Sequence, residues 1–80
     1  MMYTINIVAE NRPGMLYRLT GLLTRRKINI ENLSAYETIK PGISQIALTA
    51  DIRPEIIDTL VKQIDKIVEI VNIKYHVAHR

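Results

Sequence analysis

Tyr3, Ile5, Ile7 and Ala9 alternate with Thr4, Asn6, Val8 and Glu10, the period of two that places one face of a strand in a core. Glu10-Asn11-Arg12-Pro13-Gly14 interrupts the pattern with two structure-breaking residues and a turn-forming Asn, which predicts a loop. From Met15 the spacing turns helical, with Met15, Leu16, Leu19, Leu22 and Leu23 on one stripe that ends in Arg25-Arg26-Lys27. Basic residues there suit the negative end of a helix. Ile28 and Ile30 share a phase, but the series resumes one residue out of step at Leu33, Ala35 and Ile39. Such a slip swaps the faces of a strand, so a bend or bulge is predicted near Glu31 and Asn32. Lys40-Pro41-Gly42 predicts a hairpin turn into a third strand, with Ser44, Ile46, Leu48 and Ala50 on one face. A second helical stripe runs through Ile57, Leu60, Val61 and Ile64, with Pro54 placed in the first turn. Val71, Ile73, Tyr75 and Val77 alternate as a fourth strand, and Ala78-His79-Arg80 reads as a tail.

Two apolar helical stripes need one sheet face to cover, and each crossover between strands should be right-handed. The order strand, helix, strand, strand, helix, strand therefore predicts an α+β, ferredoxin-like βαββαβ sandwich: four antiparallel strands with both helices on one face. Eighty residues suffice for a single domain, residues 1–80. Fourteen Ile and five Val with no Phe or Trp make a core of β-branched aliphatics, which favours strands. A sheet with one uncovered face and open edges predicts a homodimer. The absence of Cys excludes disulfides, thiolate metal sites and cysteine nucleophiles. With no apolar run of membrane-spanning length and no signal-peptide pattern, the expectation is a cytoplasmic protein that engages no membrane.

Candidate chemistry is sparse. The net charge of +3 is too small to mark a nucleic-acid binder. An RNA-recognition version of this sandwich would stack bases on its central strands, where Tyr3 is the one aromatic available, so no nucleic-acid partner is expected. His76 and His79 at a strand end lack further ligands for a metal, and Ser34 and Ser44 lack a base to make them nucleophiles. Arg12 and Arg18 flank the start of the first helix and read as surface charges. The expectation is a protein that is not an enzyme and carries no cofactor or metal. What remains is the loop Asn11-Arg12-Pro13-Gly14 feeding the helix at Met15. A helix start carries unpaired N–H groups and about half a positive charge, so it receives a carboxylate without a basic side chain. Asn11 and Asn29 could hold the two ends of a free amino acid, with Asn29 expected where the crossover returns to the first loop. Met15, Leu16 and Ile30 would line an aliphatic slot. Alternatively Asn11 caps the helix and Asn29 a turn.

Glu10-Asn11-Arg12-Pro13-Gly14-Met15-Leu16, Arg18-Leu19-Thr20-Gly21-Leu22-Leu23 and Asn29-Ile30-Glu31-Asn32-Leu33 together resemble the ACT domain of acetolactate synthase (acetohydroxyacid synthase) regulatory small subunits. The likeness continues through Asp65-Lys66-Ile67-Val68. It implies a non-catalytic partner of the thiamine-diphosphate-dependent catalytic large subunit that raises its activity and confers feedback inhibition by a branched-chain amino acid, usually valine. It also implies an effector at the interface of two ACT domains, against Asn11 and Gly14, with Asn29 and Ile30 contributing from the second strand. Many subunits of the family carry a further domain after this one, so activation is the safer expectation than inhibition. A stand-alone ACT sensor for another amino acid or enzyme, and an RNA-binding module, are the alternatives.

Overall fold

A computed structural model describes residues 1–78. The elements follow the expected order: β1 (Met2–Glu10), α1 (Met15–Arg25), β2 (Ile30–Glu37), β3 (Ile43–Asp51), α2 (Ile57–Asp65) and β4 (Ile70–Val77). They build one four-stranded sheet in the order β2-β3-β1-β4, antiparallel throughout. This is the ferredoxin-like arrangement.

The alternating residues of β1 and β3 do as their period requires. Tyr3, Ile5, Ile7 and Ala9 are buried, as are Ser44, Ile46, Leu48 and Ala50 across the ladder. Met15, Leu19 and Leu23 of α1 and Ile57, Leu60 and Ile64 of α2 close over them. Fully burying each large aliphatic of this set contributes about 1.5–3 kcal/mol. The opposite sheet face is polar: Thr4 and Thr49 share a hydroxyl hydrogen bond of 3.0 Å, and Asn6 reaches the His76 ring at 3.4 Å.

The interruption predicted in β2 is a bulge rather than a bend. The register passes from Ile30↔Ala50 to Asn32↔Thr49 and so skips Glu31, which turns Leu33 and Ala35 to the helix side. The hairpin turn is also present, with Gly42 at φ 79° and Ile43 N–H donating to Lys40 C=O at 3.2 Å.

Three local expectations need correction. Ile39 is fully exposed and lies beyond β2, because the chain has already begun to turn. Pro54 precedes α2 in a separate turn, closed by Ile56 N–H on Arg53 C=O at 3.0 Å. In β4 the register jumps from Val8↔Asn72 to Ala9↔Ile70, so Val71 is bulged out and exposed while Ile70 packs on the core. Helix α1 ends at Arg25-Arg26-Lys27 as expected, and does so in a Schellman arrangement: Ile28 N–H donates to Leu23 C=O and Lys27 N–H to Thr24 C=O, with Lys27 at φ 59°. A left-handed residue is what such an ending needs, and Lys occupies a position usually given to Gly.

Tyr75 and Glu69 pin the sheet to the helices. The Tyr75 hydroxyl donates to Asp58 of α2 at 2.5 Å, and this bond, helped by burial, raises the phenol pKa. Glu69, in the turn just before β4, accepts from Arg18 of α1 at 2.5 Å, and its main-chain oxygen accepts the Glu10 N–H at 2.8 Å. The Arg18 hydrogen bond, opposed by burial, holds the Glu69 carboxyl below the usual carboxylate range. A depressed carboxylate stabilises the fold fully above its unfolded pKa of about 4.3, and that contribution is lost as the pH falls through the lower folded value. Thermal melts between pH 7 and pH 3 are therefore expected to show a decline below about pH 5 that is shallower in Glu69→Gln.

Candidate functional site

The loop between β1 and α1 is held by its neighbours rather than by its own side chains. Asn11 N–H donates to Gly42 C=O of the β2–β3 turn at 2.8 Å, and Arg12 N–H to Glu10 C=O at 3.0 Å. Gly14 then takes a left-handed conformation, φ 85° and ψ −10°, and serves as the N-cap of α1. This is the position where a residue without Cβ is needed. Met15 N–H is used by Arg12 C=O at 3.2 Å, whereas among the described residues no acceptor meets the N–H groups of Leu16 and Tyr17. The helix start therefore presents two open donors and the positive end of its dipole.

Beside the start of α1 lies a cavity of about 150 Å³, lined by Asn11, Met15 and Leu16 from the loop and helix and by Ala35, Tyr36, Glu37, Ser44 and Ile46 from β2 and β3. Asn11, Met15 and Leu16 are thus brought together as expected. The Asn11 carboxamide makes no capping bond, so the capping alternative does not describe it. Gly14 does not line the cavity; it sets the direction of the helix end beside it, and nothing lies within 4 Å of where its Cβ would be.

Asn29 and Ile30 are not brought there within one chain. Ile30 pairs with Ala50 at one end of the sheet, whereas Glu37 pairs with Ser44 at the other, beside Glu10↔Ile43 and the loop. Seven residues of strand put the two ends about 23 Å apart. The expectation that the crossover returns Asn29 to the first loop is corrected for a topological reason. The helix α1 carries the chain back along the sheet, so β2 begins at the far end. Nor does Asn29 cap a turn, since Lys27 ends the helix.

Five lining residues escaped the sequence reading: Ala35 and Ile46, which it assigned only to apolar strand faces, and Tyr36, Glu37 and Ser44. Glu37 and Tyr36 close β2, and the buried hydroxyl of Ser44 forms part of the wall. The hairpin register was the signal that could have found them, because it sets Glu37 opposite Ser44 and next to the end of β1. Other sequence candidates disperse. Tyr3 is buried and meets the Tyr75 ring edge-on at 5.7 Å, so it offers no stacking surface. Arg18 is engaged by Glu69, and Arg12 makes an exposed pair with Glu10 at 3.5 Å. His76 lies exposed on the polar sheet face, and His79 lies outside the described residues. Among the described residues no group of three His, Asp or Glu is placed to hold a metal, and no helix is long and apolar enough to cross a membrane.

Residues 5–72 match the family model described as the AHAS small subunit-like ACT domain. The chain belongs to the acetolactate synthase small-subunit ACT family. A probable acetolactate synthase small subunit of Methanothermobacter thermautotrophicus is 32% identical over 90% of this chain and 43% of that protein. The acetolactate synthase small subunit of Bacillus subtilis is 33% identical over 86% of this chain and 41% of its own length. The crystal structure of the Thermotoga maritima small subunit superposes with a TM-score of 0.82 at 25% identity, over 94% of this chain and 47% of that one. The chain thus spans somewhat under half the length of these ACT-containing relatives. The ACT domain of a Chlorobium tepidum GTP pyrophosphokinase, TM-score 0.78 at 21% identity over 99% of this chain and 89% of that one, shares the fold.

Proposed function

We propose that this chain is a non-catalytic regulatory unit of acetolactate synthase. In this reading its single ACT domain binds a branched-chain amino acid, valine foremost, between two copies of itself. The bound dimer activates or feedback-regulates the catalytic large subunit. The observation that carries this reading is the cavity at the start of α1, walled on one side by an edge strand that among the described residues has no neighbour on its outer side.

That cavity, about 150 Å³, is below the ~300–1,000 Å³ of a complete small-molecule site. Its β2 wall is exposed from Glu31 to Glu37. An unpaired edge is a template for another strand, and here the sheet's outer face is too polar to make stacking the preferred contact. Antiparallel pairing of β2 with its copy about a two-fold axis at Ser34, with the bulged Glu31 skipped as it is against β3, sets Ile30 of the partner subunit opposite Glu37. The topology that separates Asn29 and Ile30 from Asn11 within one chain then unites them across two. The roles follow from chemistry. The effector carboxylate meets the open N–H groups of Leu16 and Tyr17 and the amide of Asn11. Its ammonium faces Glu37, and its branched side chain lies on Met15, Leu16 and Ile30 of the partner subunit.

Sedimentation with and without valine, together with calorimetric titration, tests this. The wild type is expected to sediment as a dimer that binds valine. Ser34→Lys, which places two ammonium groups beside the axis without touching the core, is expected to sediment as a monomer and to lose binding. Undiminished valine binding by a monomeric variant would refute the shared site.

A further inference from the structure

We propose that the solvent face of α1 is a docking surface for an acidic helix of the catalytic large subunit, with Gly21 as the floor of the notch that receives it; the choice of partner rests on the regulatory reading above. A concavity of about 430 Å³ opens on this face, lined by Tyr17, Arg18, Thr20, Gly21, Thr24 and Arg25. It is separate from the effector cavity, lying on the side of α1 away from the buried stripe of Met15, Leu19 and Leu23.

Gly21 is the first reason. A glycine in mid-helix costs about 1 kcal/mol relative to Ala. Nothing in the protomer requires it, because an added Cβ would meet only the Arg25 Nη1 at an ordinary 3.8 Å, and its φ is not left-handed. A gap maintained at the helix surface lets another backbone approach closely. Tyr17, Gly21 and Thr24 follow one another at helical spacing, which makes the groove into which a ridge of a second helix packs.

Charge selects the occupant. Helix α1 contains Arg18 and Arg25 and no acidic residue, and Arg26 and Lys27 follow it directly. Glu69 neutralises Arg18, but among the described residues no carboxylate meets Arg25. A second copy seated here would set guanidinium groups against each other with no acid between them, which is repulsive. A phosphate backbone fits poorly as well. The Thr20 and Thr24 hydroxyls spend their protons on the carbonyls of Leu16 and Thr20, at 2.9 Å and 2.8 Å, which leaves Arg25 as the open cationic donor in the notch. Nucleic-acid binding draws on several phosphate contacts. A protein helix bearing Asp or Glu satisfies Arg25 and fills the notch, and Tyr17, 82% exposed at its rim, is with Arg among the residue types that anchor interfaces.

The experiment is association of the whole chain with the acetolactate synthase catalytic large subunit of the same organism, by biolayer interferometry at low and moderate salt. Gly21→Leu fills the notch and favours the helix, and Arg25→Glu reverses the charge. Each is expected to weaken association roughly tenfold or more, with helical circular dichroism and valine titration unchanged, and Arg25→Glu is expected to flatten the salt dependence. Affinities within about twofold of wild type for both variants overturn the docking surface while leaving the regulatory reading standing. Failure of the wild type to bind the large subunit overturns both. Loss of self-association or of RNA binding in the variants, with large-subunit binding intact, assigns the face to another occupant and overturns the proposal.

Discussion

Gly14→Asp is expected to reduce valine affinity about 100-fold or more in a calorimetric titration, while leaving the thermal unfolding temperature within a few degrees of wild type. The magnitude follows from two N–H donors, those of Leu16 and Tyr17, that find no acceptor among the described residues. Hydrogen bonds to a charged group are worth about 1.5–3 kcal/mol each, and losing two corresponds to at least a hundredfold change. An aspartate at the N-cap brings its own carboxylate to the same donors and the same end of the helix dipole, and so competes with the ligand. The fold survives because two effects oppose each other. A side chain at φ 85° costs about 1–2 kcal/mol, least for Asp and Asn, and an N-terminal carboxylate contributes a comparable amount. Nothing within 4 Å blocks the new Cβ. Gly14→Ala separates the causes, since it carries the backbone strain without the charge. If Ala weakens binding as much as Asp does, conformation rather than anion competition sets the affinity.

Leu48→Ala is expected to destabilise the protein by about 2–5 kcal/mol, from the lost burial and the cavity left behind. At about 4–8 °C per kcal/mol for a domain of this size, the melting temperature should fall by roughly 10 °C or more. Leu48 is fully buried at the centre of β3, between Ile5 of β1 and Leu33 of β2. Its register neighbour provides the contrast. Leu33 faces the same side of the sheet but is 38% exposed, on an edge strand with a neighbouring strand on one side only. Leu33→Ala is therefore expected to cost no more than about 1 kcal/mol in dilute protein. In a β2-paired dimer Leu33 gains cover, so its cost should rise with protein concentration while that of Leu48→Ala does not. Chemical denaturation of both variants at two concentrations reads the difference.

The two leucines illustrate what could be read along the chain. Alternation in β1 and β3 was complete, because both strands are central and each buries a whole face. The slip at Glu31 was legible for the same reason in reverse, since a bulge leaves a phase change along the strand, although a bend would have left the same mark. Edge positions were less faithful. Val71 kept the alternation on paper, yet the bulge opposite Val8 and Ala9 puts Ile70 inward instead. Ile39, apolar and in phase with Leu33 and Ala35, has no sheet beneath it. The Lys27 helix ending left no signal, since a lysine at the end of a helix satisfies a charge argument equally well.

The site divides along a similar line. Asn11, Gly14, Met15 and Leu16 were readable because a loop feeding a helix is a local object, and its donors, dipole and missing side chain follow from neighbours in the chain. Sequence by itself thus determined the order of elements, the core and the place where the loop gives way to α1 at Gly14. Tertiary structure alone decided which strand stands beside that helix start. It brought Glu37 and Ser44 into the cavity through the hairpin register and carried Asn29 and Ile30 to the far end of the sheet. The physical reason is that backbone periodicity reports which face a residue occupies, whereas position along the sheet depends on the pairing of strands and the direction of crossover, which are set by contacts between segments distant in the chain.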